Sequence, residues 1–268
     1  MLRRNKAPKS RWVLITVVFL GIIILLITGV VLVRILNVFS QSHFDGHHEL
    51  IVEFTKSSKA VAVVAFSPDN HTASVLWIKA PQVDTHYLEK QLQVPFDATV
   101  NSQSNAVSLK QMVTDLFFHN VRAHSKLTLI DAFNLLVFTY TLPSSAISQN
   151  EIDLSETQST GTNSVGQLFI DHTLYNETAS VSIVNATGVS GVGNSVAKAL
   201  TNIGANVIAV NTSNKIENTS KLTFVGKKQY SPLRISEVLG IPMSTFPTPS
   251  LSDIMIVIGK DQLGKGIF

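Results

Sequence analysis

The chain has 268 residues, 45% of them hydrophobic, and carries 21 lysines and arginines against 18 acids. It has no cysteine, which excludes disulfides, thiolate metal sites and a cysteine nucleophile. The net charge of +3 is unevenly placed: six basic residues and no acid stand at or before Arg34, leaving 15 bases against 18 acids beyond it. That remainder, with Arg122 and Arg234 as its only arginines, excludes a surface that tracks nucleic-acid phosphates.

In chain order, the first element is the uncharged run WVLITVVFLGIIILLITGVVLV, Trp12 to Val33. At about 1.5 Å per residue it is long enough for a hydrocarbon core of about 30 Å, so it is predicted to be a transmembrane helix in contact with the lipid bilayer. Arg3, Arg4, Lys6, Lys9 and Arg11 precede it. The positive-inside rule then leaves residues 1–11 as a cytoplasmic basic tail and exports the rest. A cleaved signal peptide has a shorter apolar region, and Arg34 directly follows this one, which favours an uncleaved single-pass anchor. Residues 34–46 read as a juxtamembrane linker.

Three runs follow, HELIVEFT, AVAVVAFS and ASVLWIKA. Rich in β-branched residues and separated by turn signals, they predict an antiparallel meander. Leu109, Met112, Val113, Leu116, Phe117 and Val121 recur at helical spacing. A second helix is predicted from a Ser125 cap to Pro143, apolar nearly all round and therefore buried between sheet and first helix. Residues 47–145 make one α+β unit on this reading, and the polar stretch 146–166 a linker, with the domain cut near Asn163.

The last hundred residues alternate more clearly. SVSIVNATG is a strand and turn, NSVAKALTNIG a helix with Gly204 at its left-handed cap, NVIAVNT and KLTFVG are strands, SPLRISEVLG is a helix with Pro232 in its first turn, and DIMIVIG a strand. The order βαββαβ predicts a four-stranded sheet with both helices on one face. The expected fold class is thus α+β: an N-terminal transmembrane helix, a small α+β domain and a C-terminal βαββαβ two-layer sandwich.

The string LFIDHTLYNETASVSIVNATGVSGVGNSVAKALTNIGANVIAVN, with its Asn-x-Thr-Gly turn at Asn185, Thr187 and Gly188, closely resembles the start of the C-terminal domain of LytR-type cell-envelope proteins. LRISEVLGIP and SDIMIVIGKD fit that domain's second helix and closing strand, so the resemblance covers residues 167–262, and 167–268 is expected to be the domain. The resemblance implies a cell-envelope setting, and many members carry ahead of this domain a LytR-CpsA-Psr domain that transfers lipid-linked glycopolymer to peptidoglycan. Residues 59–142 resemble a shortened form of it. Where that catalytic family has a Pro-Arg-Asp motif this chain reads WIKAPQVDT, and only Lys79, Asp84 and Asp97 stand nearby. Phosphoryl transfer needs preorganised positive charge from arginine forks or metal. The expectation is therefore a non-catalytic binding or scaffolding module for peptidoglycan, wall glycopolymer or another envelope protein. The alternative is a divergent phosphotransferase using Lys79, Asp84 and Asp97.

Other candidate residues carry weaker patterns. Gly188, Gly191 and Gly193 are spaced GxxGxG rather than as a dinucleotide loop. They read as a tight turn, whose Asn185, Thr187, Gly188 and Gly191 are the candidate binding residues. His43, His47 and His48, with Asp45 or Glu49, do not converge on a metal if they lie on a strand. Asp171 and Glu177, separated by what reads as strand and turn, are ordinary polar positions. No cofactor, metal or nucleic-acid partner is expected.

Overall fold

A computed structural model describes residues 10–40, 42–56, 59–79, 85–101, 108–120, 127–154, 165–226, 229–245 and 251–265. The chain divides into two compact units, Met1–Ser42 and His43–Phe268.

The first unit contains α1, Ser10–Ser40. Its side chains are described from residue 15 to residue 30, and their large apolar groups are mostly exposed. Among the described residues no helix is long and apolar enough to cross a membrane. The expected transmembrane helix over residues 12–33, and that part of the fold class, is corrected on this ground. Residues 1–9, with most of the basic tail, lie outside the described residues.

The second unit is built on two mixed five-stranded sheets. The first orders its strands β4-β1-β2-β3-β5, with β1 Leu50–Lys56, β2 Lys59–Ser67, β3 Thr72–Ile78, β4 Ala98–Asn101 and β5 Ile147–Ile152. The predicted meander is present as antiparallel β1-β2-β3. Two unpredicted strands flank it in parallel, β4 on β1 and β5 on β3, and β5 occupies the start of the stretch read as a linker. These strands were hidden because β4 is only ATVN and β5 is the polar ISQNEI, half-buried or exposed throughout.

Both faces of this sheet are covered, so the middle strands show continuous burial rather than alternation. On one face Val52, Phe54, Val64, Phe66 and Val75 pack against α3, Leu109–Asp115, and α4, Leu129–Thr141. Phe44, in the segment read as a linker, joins this core, with its ring 5.8 Å from Phe138 and 6.5 Å from Phe66. Burying such a side chain contributes about 2 to 3 kcal/mol. α3 runs on into a π-helical turn, Leu116–Asn120. α4 starts at a Thr128 cap, not at Ser125, which lies outside the described residues, and stops before Pro143 as expected. It is not buried all round: Ala132, Leu135 and Phe138 are inside, while Leu129, Phe133, Val137 and Tyr140 are about half exposed. As an outer layer it has a sheet on one side only.

The opposite face of the first sheet, with Ile51, Val63, Ala65 and Leu76, belongs to a core that continues without a break into the C-terminal part. Leu88 and Leu92 of α2, Thr85–Leu92, and Leu174 of α5, His172–Glu177, join it. The second sheet has the order β7-β6-β10-β8-β9: β6 is Ser180–Asn185, β7 Asn206–Thr212, β8 Lys221–Phe224, β9 Met243–Thr245 and β10 Ile254–Ile258. α6, Val192–Asn202, joins parallel β6 and β7, and α7, Tyr230–Leu239, joins parallel β8 and β9. β10 then inserts between β6 and β8. The predicted βαββαβ with four strands is therefore corrected to βαββαββ with five, the extra strand being the three residues MST, too short to carry a pattern. Alternate residues Val181, Ile183, Ile254, Ile256 and Ile258 share one buried face with Val196, Leu200, Ile235 and Leu239 of the helices, as a two-layer sandwich requires. Gly204 has φ +101, the left-handed geometry expected of it.

Candidate functional site

Of the residues expected for the alternative chemistry, Lys79 and Asp97 do not meet. Lys79 follows β3 and pairs with Glu151 at 2.9 Å on the surface. Asp97 precedes β4. β3 and β4 run the same way with β1 and β2 between them, so Lys79 stands at the C-terminal end of one and Asp97 at the N-terminal end of the other, about 14 Å apart sideways alone. Asp84 lies outside the described residues.

Asp97 is already engaged. Its oxygens receive both terminal nitrogens of Arg234, on α7, at 2.6 and 2.9 Å, and its Oδ2 also accepts the Ile51 amide at 2.8 Å. Arg234 Nε lies 3.3 Å from Asp171 Oδ2, an ion-pair distance without hydrogen-bond alignment. The arginine and Asp171 side chains are 6% and 1% exposed. Burial is the largest single influence and disfavours the guanidinium's charge, but Asp97, Tyr230 and Asp171 together outweigh it and the pKa of Arg234 is raised.

Asp171 and Glu177 are separated by helix α5, not by strand and turn, and both serve α7. The Tyr230 hydroxyl donates to Asp171 Oδ2 at 2.5 Å, while Asp171 Oδ1 accepts the Leu174 amide that begins α5. Burial, with Asp171 contributing, holds the Tyr230 phenol above its ordinary range. Glu177 accepts the Tyr230 and Ser231 amides at 2.9 and 2.7 Å. It supplies the acceptors that the α7 cap residue Gln229 does not.

Glu49, just before β1, is buried beside this cluster. It faces Asp171, Asp97 and Arg234 and has the Ser67 hydroxyl on it. Desolvation, with the two aspartates adding to it, pushes its carboxyl up to about 8. Its Oε1 has no hydrogen-bond partner among the described residues. Glu49, Ser67, Pro68 and Asp171 line a small recess of about 10 Å³, whose rim includes His47, Asp69 and His172.

The candidate binding turn spends its polar groups on itself. Asn185 Oδ1 accepts the amide and hydroxyl of Thr187, its Nδ2 donates to the Val189 carbonyl, and the Val189 amide donates to Thr187 Oγ1. Gly188 and Gly191 have φ of +80 and +85, and Gly193 lies where an added Cβ would be 3.0 Å from Val210. His47 and His48 donate their amides to Asp45, and the ring of His48 stacks on Tyr230 at 4.2 Å. Among the described residues, no group of three histidines or acids is arranged to hold a metal ion.

Residues 178–261 match the model of the family described as LytR cell envelope-related transcriptional attenuator. The chain carries a LytR-type C-terminal domain. No curated protein and no solved structure matches the chain. The LytR-type domain takes in β6 to β10 with α6 and α7, and its limit at Asp261 coincides with a clasp in which that carboxylate accepts the Ser220 amide and hydroxyl. The match does not reach residues 47–145. It makes this a cell-envelope-related protein, in agreement with the resemblance carried by Asn185, Thr187 and Gly188.

Sequence reasoning did not single out Arg234 or Tyr230 as site residues, and it weighed Glu49 only as a metal partner for the nearby histidines. One signal for Arg234 was available: in SPLRISEVLG it shares the core-facing side of the helix with Ile235 and Leu239, and a charge there demands a buried partner.

Proposed function

We propose that this chain is a non-catalytic, extracytoplasmic envelope protein that binds cell-wall polymer, with the LytR-type domain held in fixed orientation on the α+β region before it. What carries the reading is the combination of that domain with an Asp97 already occupied by Arg234 and remote from Lys79. A phosphotransferase needs converging cationic groups free to meet a pyrophosphate, and the described residues offer none at Lys79 or Asp97. The full chain is expected to co-sediment with isolated wall material and to release no polyprenyl phosphate from lipid-linked glycopolymer. Failure to co-sediment, or turnover that Lys79→Ala and Asp97→Asn abolish, would sink the proposal.

A further inference from the structure

We infer that the outward face of α4 binds a second copy of this chain, the two α4 helices packing across a two-fold axis through Leu129, Phe133, Val137 and Tyr140, with Phe118 extending the contact.

The face is anomalous for an outer helix. α4 carries a single charge, Asp131, and that side chain is fully buried. The large side chains turned outward recur at helical spacing: Leu129 is 53% exposed, Phe133 52%, Val137 47% and Tyr140 57%. A helix packed on a core by one side ordinarily shows charged or polar residues on the other.

The stripe is also continuous. Phe118, in the π-helical turn, is 69% exposed, and its ring lies 5.1 Å from that of Phe117, which lies 6.2 Å from Phe133. At the far end the Lys110 ammonium stands 5.4 Å from the Tyr140 ring, and the Tyr140 hydroxyl is 3.3 Å from that of Thr114. An apolar centre with polar groups at its margin is the layout of a protein interface.

Area supports a stable pair. Aromatic side chains at these exposures offer about 100 Å² each, so with Leu129 and Val137 the five side chains supply about 500 Å². Two copies therefore bury about 1,000 Å² from these side chains alone, which reaches the lower bound for a specific interface. The half-buried Ile130 and Asn134 beside the stripe add to it.

Geometry and charge favour an identical partner. Leu129, Phe133 and Val137 form a ridge of the kind that interdigitates with its own copy at a crossing of about 50°. A two-fold axis near Phe133 and Val137 sets each ridge into the other's groove, a self-complementary contact. The stripe carries no charge, so like meets like without repulsion, and a different protein finds no charged group there by which to be selected. A helix resting on a bilayer keeps a polar face toward water, whereas Ala132, Leu135 and Phe138 of α4 are buried in the core beneath it. Pairing through α4 stands whether or not the chain binds wall polymer.

The chain has no cysteine, so one introduced thiol reports one position. Full-length Phe133→Cys, Val137→Cys and, on the exposed side of α7, Glu237→Cys are treated with a short bis-maleimide. Covalent dimer is expected from the two α4 variants and about tenfold less from Glu237→Cys. Adding Phe133→Asp to Val137→Cys places a charge in the apolar contact and is expected to cut the dimer about tenfold or more. Leu129→Asp should do the same, and an acid in the first turn suits a helix, which protects the fold of that variant. Equal crosslinking at all three positions, or dimer unmoved by either aspartate in chains whose thermal transition persists, would overturn the pairing. So would phosphatidylglycerol vesicles that shield Val137→Cys from a water-soluble monomaleimide in a chain that forms no covalent dimer, since the face would then rest on lipid.

Discussion

Arg234 holds two carboxylates that come from far away in the chain, and its value lies in what its removal would leave behind. Arg234→Ala strands Asp97 and Asp171 in a site from which water is largely excluded. Breaking a buried pair in this way costs about 3 to 5 kcal/mol. Arg234→Lys keeps the charge but loses the two-pronged grip on Asp97. Chemical denaturation should therefore rank wild type above Arg234→Lys and Arg234→Ala lowest, and equal stability of the two variants would show that the fork contributes nothing. Sequence could expose the anomaly of an arginine on an apolar helix face. It could not name the partners, because Asp97 is 137 positions away and no local pattern links them.

Among the elements, α4 shows how a helix start can hold a chain segment in place. Thr128 and Asp131 form a reciprocal cap, and the fully buried Asp131 also accepts the His43 and Phe44 amides at 2.8 Å each. One oxygen thus serves the cap and the other fixes the segment that carries the Phe44 anchor. An asparagine retains one acceptor and turns its NH₂ toward donors on the other side. Asp131→Asn should accordingly destabilise nearly as much as Asp131→Ala, by about 2 kcal/mol or more, as judged by the denaturation midpoint. A near-neutral Asp131→Asn would mean that the second oxygen is dispensable. The capping role was within reach of sequence, since Thr-x-x-Asp opens an apolar run, but the reading chose Ser125 because both residues suit a cap.

Taken whole, residues 43–268 share a core that passes from the first sheet into the LytR-type domain, and the Asp97–Arg234 pair crosses the same junction. Its unfolding should be one cooperative transition whose midpoint falls as pH rises from about 4.5 to 8, because over that range folded Glu49 keeps a proton that the unfolded chain has lost. That contribution is fully present below pH 4.5 and gone above 8. Glu49→Gln should flatten the slope and be the more stable form at pH 9; an unchanged slope in calorimetry would refute the assignment to Glu49. By itself the sequence determined the central meander, the two helices and most strands of the C-terminal sandwich, and the LytR-type domain, because each rests on a local period or a contiguous motif. Only the tertiary structure decided that β4 and β5 extend the first sheet, that β10 enters the middle of the second, and that Glu49, Asp97, Asp171, Tyr230 and Arg234 form one cluster. Strand neighbours and buried charge partners are chosen by packing between distant segments, and that choice leaves no periodic trace in the chain.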